Sequence, residues 1–451
     1  MSIRQIFLMT SLALAASLAL GQTSGPATAP PSAPSAPLAS PVSLSQALQA
    51  ARNNLDVALA RHTLAGAQAD ITSANRSPFP TLSAKVGQID LQNGTGDGNL
   101  LTERRIDKAI GMDWTWERGN KRELRTLTAQ KAAQAAQADL DEVRTQQLLA
   151  TQAGFFDLLA AQERGVQIGL IERSAAQLAA TANKRVQAGD LSAQEAIRTE
   201  IEAQRARADV QAAEQERQRA ALNLWQVTGL ATPPQQLQAQ ADWPALTGAP
   251  TAPPDLSMLI ESRADVRAAQ ARVQAAQAAL DSSSAQKVSD ITVGASYDHF
   301  PGTSTALMEL RLQMPLQWGY GYQGEIARAT AQLAQAQDGL EKVRRLAQAE
   351  LQGLQQLTLS TAQRTQSYEA DILPRARKVA DGAELAYSKG ALSLTDLLDA
   401  RRTLRSTLLD ALNARADYAR AATAWQLRTQ TDTSLAVIPA TSVIPAKAGI
   451  Q

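Results

Sequence analysis

A ten-residue segment near position 190 returns near position 390, and this duplication restricts the chain to folds that can be built twice. Val186-Gln187-Ala188-Gly189-Asp190-Leu191-Ser192-Ala193-Gln194-Glu195 is echoed by Tyr387-Ser388-Lys389-Gly390-Ala391-Leu392-Ser393-Leu394-Thr395-Asp396. The shared pattern is Gly-x-Leu-Ser-x-x-acid, repeated after 201 residues (390 − 189). Long Ala/Gln-rich stretches flank both copies. A repeat of this length is read as a whole unit before any local motif is weighed. The unit here is a strand hairpin followed by a long helical hairpin.

Residues 43–230 make the first repeat and 255–430 the second, joined by a Pro- and Gly-rich linker at 231–254. A helical segment opens each (43–73 and 255–287). The helical hairpins are 121–228 and 323–430. Residues 121–187 and 323–389 each count 67 (187 − 121 + 1; 389 − 323 + 1), enough for about 100 Å of helix. In the second copy Leu333, Leu340, Ala347 and Leu354 recur every seven residues, as do Ala336, Val343, Glu350 and Leu357, a coiled-coil spacing. Leu373-Pro374 is expected to bend that helix. Only 4% of residues are aromatic against 44% apolar, which suits long Ala-rich helices better than a large globular core.

Strand hairpins are expected at 79–118 and 290–318. Ile106, Lys108, Ile110, Met112, Trp114 and Trp116 alternate with Asp107, Ala109, Gly111, Asp113 and Thr115. Ile291, Val293, Ala295 and Tyr297 do the same, and so do Met308, Leu310, Leu312, Met314, Leu316 and Trp318. Period-two alternation places one face against something apolar and the other against water. Strands of this length suit a tilted crossing of a bilayer. Trp114, Trp116, Trp318 and Tyr320 sit at hairpin ends, where amphipathic rings favour a membrane interface. One such hairpin alone reads as a soluble sheet; two, in an exported and otherwise helical chain, favour the membrane.

Export is read from residues 1–21, a signal peptide with Arg4 before the apolar run from Ile6 to Leu20. An uncleaved anchor helix is the alternative, but the run is short for a span. Residues 22–42 read as a disordered linker and 431–451 as a flexible tail. Net charge is +1, which gives no basic field for nucleic acid. The absence of Cys removes disulfides, thiol chemistry and Cys-type metal sites. Catalysis finds no support: His62 and His299 lie on different predicted elements, and no HExxH, GxSxG or phosphate-loop motif occurs. No cofactor and no bound metal are expected.

Four strands cannot close a barrel, and an open edge in lipid leaves backbone groups unsatisfied at several kcal/mol each. The barrel must then be shared between copies: two give eight strands and a filled interior, three give twelve and room for passage. With its repeated halves, its strand–strand–long-hairpin order and residues 368–400, the chain resembles the TolC-type outer-membrane efflux proteins. Leu373-Pro374, Tyr387, Gly390, Ser393, Leu397-Leu398 and Ala400 stand where that family has them. Trp116-Glu117-Arg118-Gly119-Asn120-Lys121-Arg122 is similar to the strand-to-helix junction of the cation-efflux branch. The resemblance implies a mainly α fold in a homotrimer. Each subunit gives four strands to a twelve-stranded barrel and its helices to a periplasmic α-barrel. It further implies a periplasmic adaptor and an inner-membrane pump as partners.

The same resemblance implies a gate at the periplasmic mouth. Asp396 and Asp399, three apart on one helical face, would line it as rings of carboxylates, and Arg415, Tyr387 and Glu195 would help hold it closed. Ser393-x-x-Asp396 and Ser192-x-x-Glu195 are also capping-box spacings, and Arg415 could equally be a solvated surface residue. Leu392 replaces a basic residue of some relatives, which removes part of the closing network. Gly189 and Gly390 suit chain reversals with positive φ. The tips, Gly189-Asp190-Leu191-Ser192 and Gly390-Ala391-Leu392-Ser393, are the expected adaptor contacts. The expected function is a passive outer-membrane exit duct; the alternative is a periplasmic coiled-coil adaptor, which ordinarily has one helical hairpin rather than two.

Overall fold

A computed structural model describes residues 40–89, 91–92, 94–99, 105–246 and 256–429. The expected signal peptide, most of the 22–42 linker, residues 247–254 and the tail at 431–451 lie outside the described residues. The chain opens with β1 (Ser40–Val42), α1 (Leu44–Ala51) and α2 (Leu55–Ala74), then β2 (Thr81–Gly87) and β3 (Asp107–Trp116). Next come α3 (Lys121–Gln187), α4 (Ala193–Thr228), a tight 3-10 turn and β4 (Leu237–Ala239). The second half has α5 (Leu256–Ser262), α6 (Ala264–Ala285), β5 (Ile291–Phe300), β6 (Ser304–Gln313), α7 (Gln323–Ser367), α8 (Leu373–Ser388) and α9 (Leu394–Thr429).

Local chemistry accounts for several boundaries, and some differ from the sequence reading. The single helix expected over 43–73 is two. Ser43 caps α1 in a reciprocal box with Gln46, and the chain then breaks so that Asn54, extended, caps α2 through Asp56 N–H. The second long helix is interrupted by a π-helical turn, Tyr368–Ile372, before α8 begins. Pro374 lacks an N–H and its ring crowds the carbonyl four residues back, so the preceding turn widens. β6 ends at Gln313 although alternation runs on to Trp318; Pro315 cannot donate to a ladder.

Residues 40–42, expected within a disordered linker, form a strand instead, and the linker between the repeats supplies its partner. β1 and β4 pair in parallel, Val42 opposite Ala239. They do so because Val42, Leu237 and Ala239 are buried on a cluster built from Phe155, Phe156, Leu158 and Leu224. Phe155 and Phe156 meet edge to face at 5.7 Å, and Trp243 stacks on Phe156 at 5.9 Å. Elsewhere the helices meet mainly through alanines, such as Ala203, Ala206 and Ala213 of α4 and Ala411, Ala414 and Ala419 of α9. Small side chains let backbones approach closely. Between α3, α6, α7 and α9 lies a buried ionic cluster. Arg428 donates to Glu350 at 2.9 Å and to both carboxylate oxygens of Glu142 at 3.1 Å, and Arg263 donates to Glu350 at 2.7 Å and Asp265 at 2.9 Å.

The large sheet runs β2-β3-β5-β6, antiparallel throughout. Its register aligns Leu82, Met112, Ala295 and Leu310 in one row, and Ala84, Ile110, Tyr297 and Met308 in the next. This face is apolar and uncovered: Leu310 is 79% exposed and Met308 81%. The other face is polar. Thr115 and Thr292 hydroxyls meet at 2.9 Å, Ser296 donates to Asp298, and Arg311 reaches Asp113 at 3.1 Å. Asp113 and Arg311 lie on β3 and β6, with β5 between them, and they meet because Gly294 stands in the middle of their row. A Cβ on Gly294 falls 2.0 Å from an Asp113 oxygen. Gly294→Ala is expected to force this pair apart and lower stability by about 1 kcal/mol. Thermal unfolding of the purified variant measures it; an unshifted transition removes the pair from the account.

Among the described residues, no helix is long and apolar enough to cross a membrane.

Candidate functional site

The two helical reversals share one construction. After α3, Gly189 takes φ of 84°; after α8, Gly390 takes 75°. In the first, Asp190 N–H reaches back to Arg185 carbonyl at 2.8 Å and Gly189 N–H to Val186. The second repeats this with Ala391 to Ala386 at 2.9 Å and Gly390 to Tyr387. Both are glycine-terminated helix ends in which the left-handed residue lets the last carbonyls find donors. Leu191 and Leu392 are half-buried at these turns, while Ser192 and Ser393 are exposed and start the return helices.

Those serines occupy the two carboxylates that follow them. Ser192 Oγ accepts from Glu195 N–H at 3.2 Å and donates to the Glu195 carboxylate at 2.9 Å. Ser393 Oγ does the same for Asp396, at 3.2 and 2.7 Å. Both acids therefore act as cap partners in this structure. Asp399, one turn on, is exposed and forms no ion pair with any described residue. Asp396 and Asp399 both lie on the first turns of α9, next to the tip.

Tyr387 is the residue through which the tips of the two repeats meet. The Arg185 guanidinium of α3 lies over its ring at 5.8 Å, a cation–π contact between repeats. Arg185, which sequence reasoning passed over, sits one turn before Gly189; its pairing needs the second repeat folded alongside. Arg415 is not brought to this group. It lies nineteen residues beyond Asp396 on α9, about 28 Å along the helix, and its Nε donates to Glu369 at 2.6 Å. It grips the π-helical turn instead. Arg364 reinforces that turn by pairing with Asp417 at 3.3 Å.

At the other end of the helices, Trp114 and Trp116 are the last apolar residues of β3 and are exposed with its apolar face. Trp318 and Tyr320 lie beyond β6, in the connection to α7; Trp318 is 87% exposed and the Tyr320 hydroxyl donates to Glu325 at 2.6 Å. That bond raises the Tyr320 pKa and lowers that of Glu325, since it favours phenol with carboxylate. The strand-to-helix handovers are also repeated: Asn120 and Tyr322 both take left-handed φ, 56° and 58°, immediately before α3 and α7. No group of three or more His, Asp or Glu positioned to hold a metal occurs among the described residues.

Residues 256–427 match the family described as outer membrane efflux protein. The cobalt-zinc-cadmium resistance protein CzcC of Cupriavidus metallidurans is 28% identical over 367 residues, 80% of this chain and 84% of the relative. The fold is that of CusC, whose solved structure superposes with a TM-score of 0.73 at 17% identity over 86% of this chain and 91% of that one. It is equally that of the Campylobacter jejuni CmeC outer membrane channel, with a TM-score of 0.74 at 15% identity over 86% and 85% of the two chains. The repeated strand-and-hairpin architecture, the second-half match and these likenesses together make the chain similar to the outer membrane efflux proteins, with the family match confined to its second repeat and the fold shared over most of its length.

Proposed function

We propose that three copies of this chain form an outer-membrane exit duct. Each gives its four strands to one twelve-stranded barrel and its helices to a periplasmic tunnel. The observation that carries this reading is the large sheet, with an uncovered apolar face, a polar face, and free edges on β2 and β6. In lipid such edges must pair, and pairing β6 with the next copy's β2 closes a ring with the polar face inward. The exposure of α2 supports the same closure: Val57 is its only buried residue, although Leu55 and Leu59 are apolar. A helix apolar on faces turned to solvent calls for a covering partner.

Export through a cleaved signal peptide at 1–21 delivers the chain. The tips at Gly189-Leu191-Ser192 and Gly390-Leu392-Ser393 face an adaptor, and an inner-membrane pump supplies the energy. The duct itself performs no chemistry. CzcC is named for cobalt, zinc and cadmium resistance, and on that likeness the cargo is a divalent metal cation. An outer-membrane, heat-modifiable trimer on unboiled gels is the expected result; a protein soluble without detergent would instead favour a periplasmic adaptor.

Asp396 and Asp399 of three copies would line the periplasmic mouth as a cation-attracting constriction. Asp396 does so while still capping α9, because the Ser393 bond uses one of its oxygens. Asp396→Ala with Asp399→Ala is expected to weaken block by divalent cations and reduce cation selectivity about tenfold in planar bilayers. Unchanged block and selectivity remove those carboxylates from the mouth.

A further inference from the structure

The uncovered face of the large sheet changes character at one end. Along the register of β2, β3, β5 and β6 this face holds a single formal charge, Lys108, and a single imidazole, His299. The four carboxylates of these strands, Asp107, Asp113, Asp298 and Glu309, all fall in the rows of the polar face. Lys108 and His299 are partners in the β3–β5 register, so they stand side by side.

Position along the strand sets their level. Lys108 is the second residue of β3, and Trp116 is its last, at the junction with α3. Eight residues (116 − 108) at ~3.4 Å each separate the two by about 27 Å along the strand. Tilted by about 40°, that is about 21 Å across a bilayer, against an apolar band about 25 Å tall in such barrels. Trp114 and Trp116 then mark the helix-side boundary of the band. Lys108 and His299 mark the opposite one.

Both basic groups lack an acceptor. Lys108 Nζ and His299 Nε2 are buried without a hydrogen-bond partner among the described residues. The other ring nitrogen, Nδ1, lies 2.9 Å from the Thr305 carbonyl, which leaves Nε2 for a ligand. An ammonium withdrawn from water with no acceptor is costly, and the imidazole beside it supplies no negative charge. β3 and β5 are the central strands, so pairing between copies through β2 and β6 brings no carboxylate to this row. The head-group layer does reach it. The long Lys108 stem lets Nζ swing to the rim, as such cations do at membrane interfaces.

We propose that Lys108 and His299 form a phosphate site for an anionic lipid of the outer leaflet, one per subunit. Ile110 and Tyr297, one row inward and both exposed, would lie against its acyl chains. This rests on the sheet being a lipid-facing barrel. A phosphate supplies the missing acceptor to both nitrogens, through charge-assisted bonds of the stronger kind. The bound lipid pins the outer rim to its leaflet while the tryptophans hold the other side.

The test is lipid retention by the full-length trimer in neutral detergent, read by native mass spectrometry after adding diphosphorylated lipid A. Wild type is expected to retain it about tenfold better than the dephosphorylated lipid, to a limit of one per subunit. Lys108→Gln with His299→Gln should erase that preference, and Lys108→Arg alone should keep it. Inorganic phosphate at equal concentration should not displace the lipid, because it has no acyl chains to bury. Equal retention of the two lipids by wild type would overturn the site without recourse to any variant, as would a preference that survives the double substitution. Displacement by inorganic phosphate would assign the site to the free ion and sink the lipid. A wild-type protein that forms no trimer in detergent refutes the barrel itself; a trimer indifferent to lipid phosphate refutes the site alone.

Discussion

Leu310→Arg is expected to abolish the assembled outer-membrane form. Leu310 sits midway along β6 in the row Leu82-Met112-Ala295-Leu310, on the uncovered apolar face. Arginine near the middle of a lipid-facing strand costs about 2–4 kcal/mol, and the proposed threefold assembly would incur it three times. That sum rivals the whole stability of an ordinary domain. The adjacent Glu309 lies on the opposite, polar face, paired only loosely with Arg311 at 3.8 Å. Glu309→Gln should therefore leave assembly intact. Outer-membrane fractions run unboiled on gels separate the outcomes: no trimer band for Leu310→Arg, a normal band for Glu309→Gln. An undiminished trimer in the first variant would place that face away from lipid.

Arg428→Ala should lower stability more than any surface substitution in the helical part. The Arg428 side chain is only 5% exposed, and its removal leaves Glu142 without a charged partner, with only the Gln146 amide still donating to it, and strips Glu350 of one of two. Unpairing buried charges costs 3–5 kcal/mol; about 3 is expected here, because Glu350 is more than a third exposed. Adding Glu142→Gln to Arg428→Met should recover part of the loss, since a neutral pair carries no stranded charge. Thermal unfolding followed through helical circular dichroism measures both. A melting temperature unmoved in Arg428→Ala would remove the cluster from the stability account.

The same cluster predicts an acid dependence. Burial pushes the Asp265 carboxyl up, but hydrogen bonding and charge from Arg263, helped by Val266 N–H and Arg428, more than offset it, and the net pKa is lowered. Arg263 stays charged, because its bonds to Asp265 and Glu350 outweigh its own desolvation. A depressed carboxylate contributes stability that is present above its unfolded pKa of about 3.9 and lost as pH falls through the folded value. Melting temperature should accordingly drop below about pH 4, and less steeply in Asp265→Asn.

Much of this was legible because it is written locally. Alternation at Ile110, Met112 and Trp114 announces a two-faced strand whatever lies beside it. Gly189 and Gly390 report positive φ, and Ser192 and Ser393 report caps, from chemistry spanning six residues. Local rules also misled. Alternation continues past Pro315, so β6 looked longer than it is, and the Ala- and Pro-rich 22–42 stretch hid β1. Arg415, which the resemblance offers for the mouth, donates to Glu369 in this structure, because the π-helical turn before Pro374 presents that carboxylate to α9; its partner could not be read from the sequence.

The amino-acid sequence by itself determined the twofold repeat, the glycine reversals and serine caps at the two tips, and which strand faces are apolar, because periodicity and capping act within a few residues. Only the tertiary structure decided that β1 pairs with β4, that Asp113 meets Arg311 over Gly294, and that Arg402 meets Glu202. Those partners stand about 200 residues apart in the chain. Their meeting depends on register and on how one repeat packs against the other, which no local pattern encodes.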